Sequence, residues 1–198
     1  MKKIMKHILA LAIVFATLSS NATEAVTFTN KEDGKTLLMF ENVSQGDQLL
    51  VKDAFGIILY KESIEKSGQY NKSFDLTSLP DGNYIFELDK KHQIRTYPFK
   101  VDLSVVTFNK AKLTVINKPV VSAKNNMVYV TSNNQNPTDY KIEIFYNTNG
   151  SYFEKIHTET VKDATTFGKK FKLLEDKKED YKVVITYEGR TFTSIVNF

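Results

Sequence analysis

Side chains that could hold a metal ion are sparse in this chain. It has no cysteine and three histidines, and the two that follow the N-terminal segment, His92 and His157, are 65 residues apart. A structural zinc site needs Cys and His ligands at short, regular spacings. The acidic stretches 30–35 and 174–180 interleave carboxylates with lysines, unlike the run of oxygen ligands that binds calcium. We therefore predict no metal site and no cofactor.

Motifs for covalent or acid–base catalysis are also missing. The sequence contains no G-x-S-x-G elbow and no cysteine nucleophile. It has only eight glycines and no glycine-rich phosphate loop. A pair of carboxylates for glycoside hydrolysis needs a fixed gap in a cleft, which this sequence does not specify. We predict that the protein is not an enzyme and name no catalytic residue; a hydrolase with an unrecognised site is the remaining alternative.

Four aromatic residues near turns are the candidates for binding a partner. Phe55 lies inside the turn "DAFG", while Tyr146, Tyr152 and Phe153 flank the turn "NTNG". Aromatic side chains at loop tips can anchor a protein partner or stack on sugars. The alternation of the strand would equally allow Tyr152 or Phe153 to point into a core. We predict these four residues as a partner-binding set.

The first 25 residues have the organisation of a secretory signal peptide. Three lysines precede the apolar run Ile8–Leu18, and small and polar residues then lead to Ala22 and Ala25. An uncleaved membrane anchor would need about 20 apolar residues. We predict cleavage near Ala25, no transmembrane segment in the mature chain, and a secreted, periplasmic or cell-surface location.

Net charge and composition limit the classes of partner that the protein can bind and the ways in which its fold can be stabilised. Removal of residues 1–25 takes away three of the 27 basic residues and one of the 23 acids, which leaves a formal net charge of +2. The remaining lysines are scattered along the chain, so we predict no nucleic-acid partner. Without cysteine the mature protein has no disulfides. Its core must be closed by packing of aliphatic and aromatic side chains.

Hydrophobic residues alternate with polar ones through most of the mature sequence, which is typical of β-strands separated by turns. Gly56 supplies a positive φ in a hairpin turn, and Gly82 closes the turn "LPDG". The segment "SNNQNPT" (132–138) is predicted to be a polar loop, and "LLEDKKEDY" (173–181) a charged loop or a single helical turn. The predicted strands are 35–42, 47–53, 57–63, 70–76, 84–89, 94–101, 105–108, 111–117, 126–132, 139–147, 152–160, 166–173, 181–188 and 190–198.

Two parts of the chain repeat one pattern. Ten residues separate Phe74 from Tyr84, and ten separate Phe171 from Tyr181, each time across a turn-rich connection. Upstream, the hairpin "VKDAFGIILYKES" corresponds to "FYNTNGSYFEKIHTE". Because each copy contains enough strands to close a core of its own, the repeat indicates two successive β-sandwiches rather than a solenoid.

The predicted fold class is all-β, with two tandem immunoglobulin-like β-sandwich domains after the signal peptide. We assign residues 26–102 to the first sandwich and 103–198 to the second. In immunoglobulin-like domains a Tyr near the start of the penultimate strand hydrogen-bonds to a nearby backbone group, the tyrosine corner. Tyr84 and Tyr181 occupy that position in the two copies. A role for Tyr84 as a ligand-stacking platform is the alternative.

The first copy resembles the sorting domain of cargo of the Bacteroidota type IX secretion system. The resemblance covers "QLLVKDAFGIILYKES" and "SFDLTSLPDGNYIFEL", in which Leu76, Leu79, Gly82 and Tyr84 match an L-x-x-L-x-x-G-x-Y segment. In that family the domain closes the chain, whereas here nearly a hundred residues follow. The resemblance therefore implies an immunoglobulin-like sandwich from an exported bacterial protein rather than a sorting role.

Together these patterns predict an exported, non-catalytic binding or structural module of the bacterial cell envelope or exterior. It would recognise a protein partner through the loops of a sandwich or through a sheet edge. The alternative is a carbohydrate-binding accessory protein that uses exposed aromatic residues in its loops.

Overall fold

The structure is a computed structural model that describes residues 26–31, 33–147, 150, 152–173 and 180–197. Within these ranges the chain forms fourteen strands and one 3₁₀ helix, Lys110–Lys112, which confirms the all-β prediction. The strands are β1 Val26–Asn30, β2 Thr36–Val43, β3 Gln48–Asp53, β4 Ile58–Ser63, β5 Gly68–Phe74, β6 Gly82–Asp89, β7 Gln93–Asp102, β8 Val105–Phe108, β9 Thr114–Asn117, β10 Val120–Lys124, β11 Met127–Asn147, β12 Phe153–Lys172, β13 Tyr181–Tyr187 and β14 Arg190–Val196.

Two antiparallel sheets form the first sandwich. One has the order β1–β2–β5, and the other has the order β4–β3–β6–β7–β8, with β9 also paired to β7. Alternate residues of these strands point inward, because successive side chains of a strand face opposite sides. Phe86 is at the centre of this core, in contact with the rings of Phe74 and Phe99. The core therefore combines aromatic and aliphatic side chains and contains no disulfide.

The second sandwich is built from a single sheet that folds over on itself. The first half of β11 pairs with β10 and with the second half of β12, and the second half of β11 pairs with β13 and with the first half of β12. Register shifts between Asn133 and Tyr140 mark the bend, as expected where a β-bulge kinks a strand. Side chains from both halves of β11 share one buried cluster, separate from the first core.

Both sandwiches have the same strand order. The layers β1–β2–β5 and β4–β3–β6–β7 of the first correspond to β10–β11–β12 and β12–β11–β13–β14 of the second. The repeated sequence positions are equivalent in the fold, since Leu76 and Leu173 are both buried and Tyr84 and Tyr181 both begin or nearly begin the matching strand. The two tandem sandwiches of the predicted fold are thus observed.

The alternation of polar and apolar residues did not predict every loop and strand correctly. The predicted polar loop 132–138 lies inside β11, where the buried Asn134 amide donates to the hydroxyl of Tyr140 at 2.9 Å. The sequence also missed β1 and β10. Most of the segment 173–181 and the whole predicted signal peptide lie outside the described residues.

The sandwiches are joined through β7 and β9. These strands pair antiparallel, with Ile94 opposite Ile116, and both side chains pack in the second core. The hydroxyl of Tyr187 donates to the carbonyl of Asn117. Val106 of β8 packs in the first core, although the predicted boundary after residue 102 would assign it to the second sandwich. The domain boundary between residues 102 and 103 stays a prediction. The strands before and after it, β7 and β8, are hydrogen-bonded to each other.

A tyrosine closes the turn before β6. The hydroxyl of Tyr84 donates to the carbonyl of Pro80 at 2.7 Å, which is the geometry of a tyrosine corner. A Cβ atom added at Gly82 would lie 3.5 Å from the Tyr84 ring, an ordinary van der Waals distance, so the space beside this contact does not require a glycine. In the second sandwich Tyr181 is fully buried, and its ring lies 5.2 Å from that of Tyr146.

Candidate functional site

The turn between β3 and β4 is held by one carboxylate. The Asp53 Oδ1 atom accepts hydrogen bonds from the backbone amides of Phe55 and Ile57, both at 2.9 Å. Gly56 has a φ of +84°, a conformation that residues with a Cβ atom rarely adopt. The turn is therefore a defined structure, and Phe55 is presented at its tip.

Four apolar residues in this turn and directly after it have exposed side chains. Phe55 is 91% exposed, and the side chains of Ile57, Ile58 and Leu59 are each about half exposed. We call these four residues the hairpin patch. Single exposed aliphatic residues are ordinary on protein surfaces, but contiguous exposed apolar groups mark interaction sites.

The hairpin patch continues into a sheet edge. Within the described residues β4 pairs with β3 alone, so its other side carries main-chain amide and carbonyl groups without a partner strand. An extended peptide can add to such an edge by main-chain hydrogen bonds. Ile58 and Leu59 lie on this edge strand itself. The edge of β4 therefore exposes both apolar side chains and backbone hydrogen-bonding groups.

A network of charged and polar side chains attaches the edge strand β4 to β5. Glu62 of β4 accepts hydrogen bonds from Tyr60, from Tyr70 at 3.1 Å and from Lys72 of β5. Burial acts to raise the pKa of Glu62, but the hydrogen bonds from Lys72 and the two tyrosines outweigh it and lower the pKa. The carboxylate therefore stays charged at neutral pH. This network connects the edge strands of the two sheets and holds β4 in place.

A groove lies beside the hairpin patch at the same end of the sandwich. Its volume is about 700 Å³, and Ile85, Pro98 and the Asp53–Gly56 turn contribute to its walls. The turn after β7 lies at this end as well, because Asp53 is aligned with Tyr84 and the start of β6 with the end of β7. Leu103 in that turn is 83% exposed. A further exposed apolar side chain therefore lies at the same end of the sheet.

The structure separates the four residues that the sequence assigned to one binding set. Phe55 lies in the first sandwich, and the other three lie in the second. Tyr146 is only 7% exposed and packs in the second core, so it is corrected to a core residue because its position on β11 faces the interior. Phe153 is partly covered by the ammonium group of Lys182, which lies 4.7 Å from its ring centroid. Tyr152 is 64% exposed.

Sequence reasoning missed the three aliphatic members of the hairpin patch. Ile57, Ile58 and Leu59 follow one another directly, and such a run departs from the alternation of a half-buried strand. This run next to an edge strand was the signal that could have identified them. The register shift between Val51 and Lys52 opposite this segment turns the side chains of the run outward.

In the described part of the chain no group of three or more His, Cys, Asp or Glu side chains is arranged to hold a metal ion. Among the same residues no helix has the length and apolar character needed to span a membrane.

Comparison with solved structures gives distant structural likeness. No protein-family model and no curated protein matches the sequence. The selenomethionine-substituted chicken interferon gamma receptor alpha chain aligns over 88% of this chain and 96% of its own, with 11% identity and a TM-score of 0.33. The BSP domain of a biofilm-associated protein aligns over 87% of this chain with 12% identity and a TM-score of 0.27. This chain spans 28% of that second protein.

Proposed function

We propose that this protein is an exported, non-catalytic binding module of a bacterial cell envelope or exterior. It recognises a protein partner through the hairpin patch and the free edge of β4. The partner would contribute an extended segment that pairs with β4 and places apolar side chains against Phe55 and its neighbours. No cofactor takes part.

The observation that supports this proposal most directly is the position of Phe55. An aromatic ring that is 91% exposed loses favourable burial unless something covers it. The Asp53 carboxylate holds the turn so that the ring stays exposed, and aromatic residues are enriched in the buried cores of protein interfaces. Main-chain groups of β4 alongside the ring supply the hydrogen bonds of strand addition.

The proposal is tested by photo-crosslinking in the producing cells. The photoreactive amino acid p-benzoyl-phenylalanine replaces Phe55 in one strain, and Tyr129, an exposed aromatic residue of the second sandwich, in a control strain. We expect one discrete protein adduct from position 55 and none from position 129. An Ile58→Lys substitution in the position 55 strain should abolish the adduct, because a charge would be buried against the partner.

Equal labelling from both positions, or no adduct from position 55, would overturn the proposal. Far-ultraviolet circular dichroism of the purified variants shows whether the sandwich remains folded. The glycan alternative is examined with the same protein on a glycan array, where Tyr152 is the remaining exposed aromatic residue of the predicted set. Retention that is lost in Tyr152→Ala and kept in Phe55→Ala would favour the glycan over the protein partner.

A further inference from the structure

A second cavity system lies at the other end of β3, where the two sandwiches meet. One chamber of about 610 Å³ opens between the turn before β3 and the turn between β6 and β7. A second chamber of about 570 Å³ opens between that same turn and β14 of the second sandwich. Asp89, Lys91 and Lys118 line both chambers, so we call the pair the joint groove. Each chamber has the size of an ordinary ligand site.

The joint groove carries more cationic than anionic groups. Lys90, Lys91 and Lys118 line the first chamber, against the carboxylates of Asp47 and Asp89. Both carboxylates are already engaged: Asp47 accepts a hydrogen bond from the backbone of Ser44 at 2.8 Å, and Asp89 pairs with Lys118.

Lys91 is the cation that this arrangement leaves available. Its exposed side chain lines both chambers. Among the described residues no carboxylate pairs with its ammonium group, whereas Lys118 has Asp89 and Arg190 has Glu87. A ligand that brings its own negative charge to the boundary of the two chambers would satisfy this group.

Residues with hydroxyl or amide side chains form part of the remaining walls of both chambers. Gln45, Gln48 and Asn117 line the first chamber, and Thr191, Thr193 and Ser194 line the second. Groups of this kind donate to and accept from hydroxyl groups. Phe192 also lines the second chamber, and its ring is stacked on that of Tyr187. A polyhydroxylated ligand is therefore better matched to these walls than a purely apolar one.

The groove is formed before any ligand binds, because the joint is tied by direct contacts. Arg190 of β14 donates to Glu87 of β6 at 2.7 Å, and the Asn117 backbone amide donates to the side chain of Asn134 at 2.8 Å. Ile94 and Ile116 pack in the second core. Contacts that hold both sandwiches in one arrangement lower the entropic cost of binding at their boundary.

We propose that the joint groove binds an acidic oligosaccharide, with Lys91 receiving a carboxylate or sulfate group. The amide and hydroxyl groups of the walls would bond to the sugar hydroxyls. This site is separate from the hairpin patch, since the two lie at opposite ends of β3.

The test uses the full mature chain and calorimetric titration with two defined probes, hexagalacturonate and a heparin hexasaccharide. Fully methyl-esterified hexagalacturonate serves as the uncharged match. We expect binding of at least one acidic probe, weaker by about tenfold or more for Lys91→Glu, because a charge-assisted contact is lost. Raising the ionic strength from about 0.05 to about 0.5 M should weaken it further.

Matched variants separate this site from the rest of the surface. Lys124→Glu makes the same charge change on an exposed lysine of β10 outside the groove and should leave binding unchanged. Phe55→Ser should also bind the probe normally, so that failure at the hairpin patch is distinguished from failure here. Lys91→Arg should restore most of the affinity. Absence of binding to both acidic probes, or equal loss in Lys91→Glu and Lys124→Glu, would overturn the proposal.

Discussion

The Glu87 carboxylate and the Arg190 guanidinium are joined by a 2.7 Å hydrogen bond, although 103 residues separate them in the chain. Glu87 belongs to β6 of the first sandwich and is 3% exposed, and Arg190 belongs to β14 of the second. Lys52 of β3 donates to the other carboxylate oxygen at 2.8 Å. Such a buried acid needs its cationic partners, because an unpaired buried charge is strongly unfavourable. This ion pair makes the relative position of the two sandwiches part of the folded state.

Replacement of Arg190 by Met should lower the free energy of unfolding by about 2 kcal/mol, since Glu87 would keep Lys52 but lose one charge-assisted hydrogen bond. Urea unfolding followed by tyrosine fluorescence measures the change. Lys100→Met is the control, because it breaks the solvent-exposed pair with Asp102 and should cause no measurable change. Equal stability of the Arg190→Met variant and the parent would show that the contact does not tie the domains.

The stability should also depend on pH through Glu87. Burial acts to raise the pKa of this carboxyl, but the hydrogen bonds from Arg190 and Lys52 outweigh it and lower the pKa below its ordinary value of 4.5. The contribution is therefore complete above about pH 4.5 and is lost as the pH falls through the folded-state pKa. Urea midpoints measured between about pH 3 and pH 7 should fall less steeply for Glu87→Gln than for the parent chain. Parallel curves would contradict this assignment.

Ile94 should contribute to the second sandwich although it lies on a strand of the first. Its side chain is buried in the second core, opposite Ile116. Ile94→Ala should cost about 3 kcal/mol through lost burial and the cavity left behind. Hydrogen exchange followed by mass spectrometry should show lower protection in β11 and β13. Val105→Ala, on an exposed position of β8, is the control and should change neither quantity. Loss of protection confined to the first sandwich would refute the prediction.

Removal of the Tyr84 hydroxyl should weaken the turn before β6. Tyr84→Phe deletes the 2.7 Å hydrogen bond to the Pro80 carbonyl, which should lower the free energy of unfolding by about 1 kcal/mol. The same substitution at Tyr129, which is exposed on β11, should have no effect on thermal unfolding. A Tyr84→Phe variant that melts with the parent would mean that the corner contact does not stabilise the fold.

Several features could be predicted from the sequence because they depend on short-range patterns. Alternation of polar and apolar residues specified most strands, since a strand places successive side chains on opposite faces. The spacing from Phe74 to Tyr84, repeated from Phe171 to Tyr181, identified two copies of one sandwich. Phe55 was found because Asp53 and Gly56 encode a turn around it.

The candidate site was only partly predictable. Tyr146 flanks a turn sequence and Phe55 lies inside one, yet the first is buried and the second is exposed. Phe55 lies in the turn between β3 and β4, whereas Tyr146 lies on β11 with its side chain on the inner face, and a shift in register by a single residue would exchange the two faces of that strand. The joint groove gave no local signal at all, because its lysines come from the turn after β6 and from the segment after β9.

By itself the sequence determined the all-β class, the repeat, the turns and the absence of cysteine, all of which depend on residue types and their spacing along the chain. Only the tertiary structure decided which aromatic residues face water, how β11 and β12 bend to serve both layers of the second sandwich, and which charges meet across the joint. The physical reason is that burial and long-range pairing depend on groups brought together from distant strands, as Glu87 and Arg190 are. No pattern of neighbouring residues in the sequence indicates a contact of this kind.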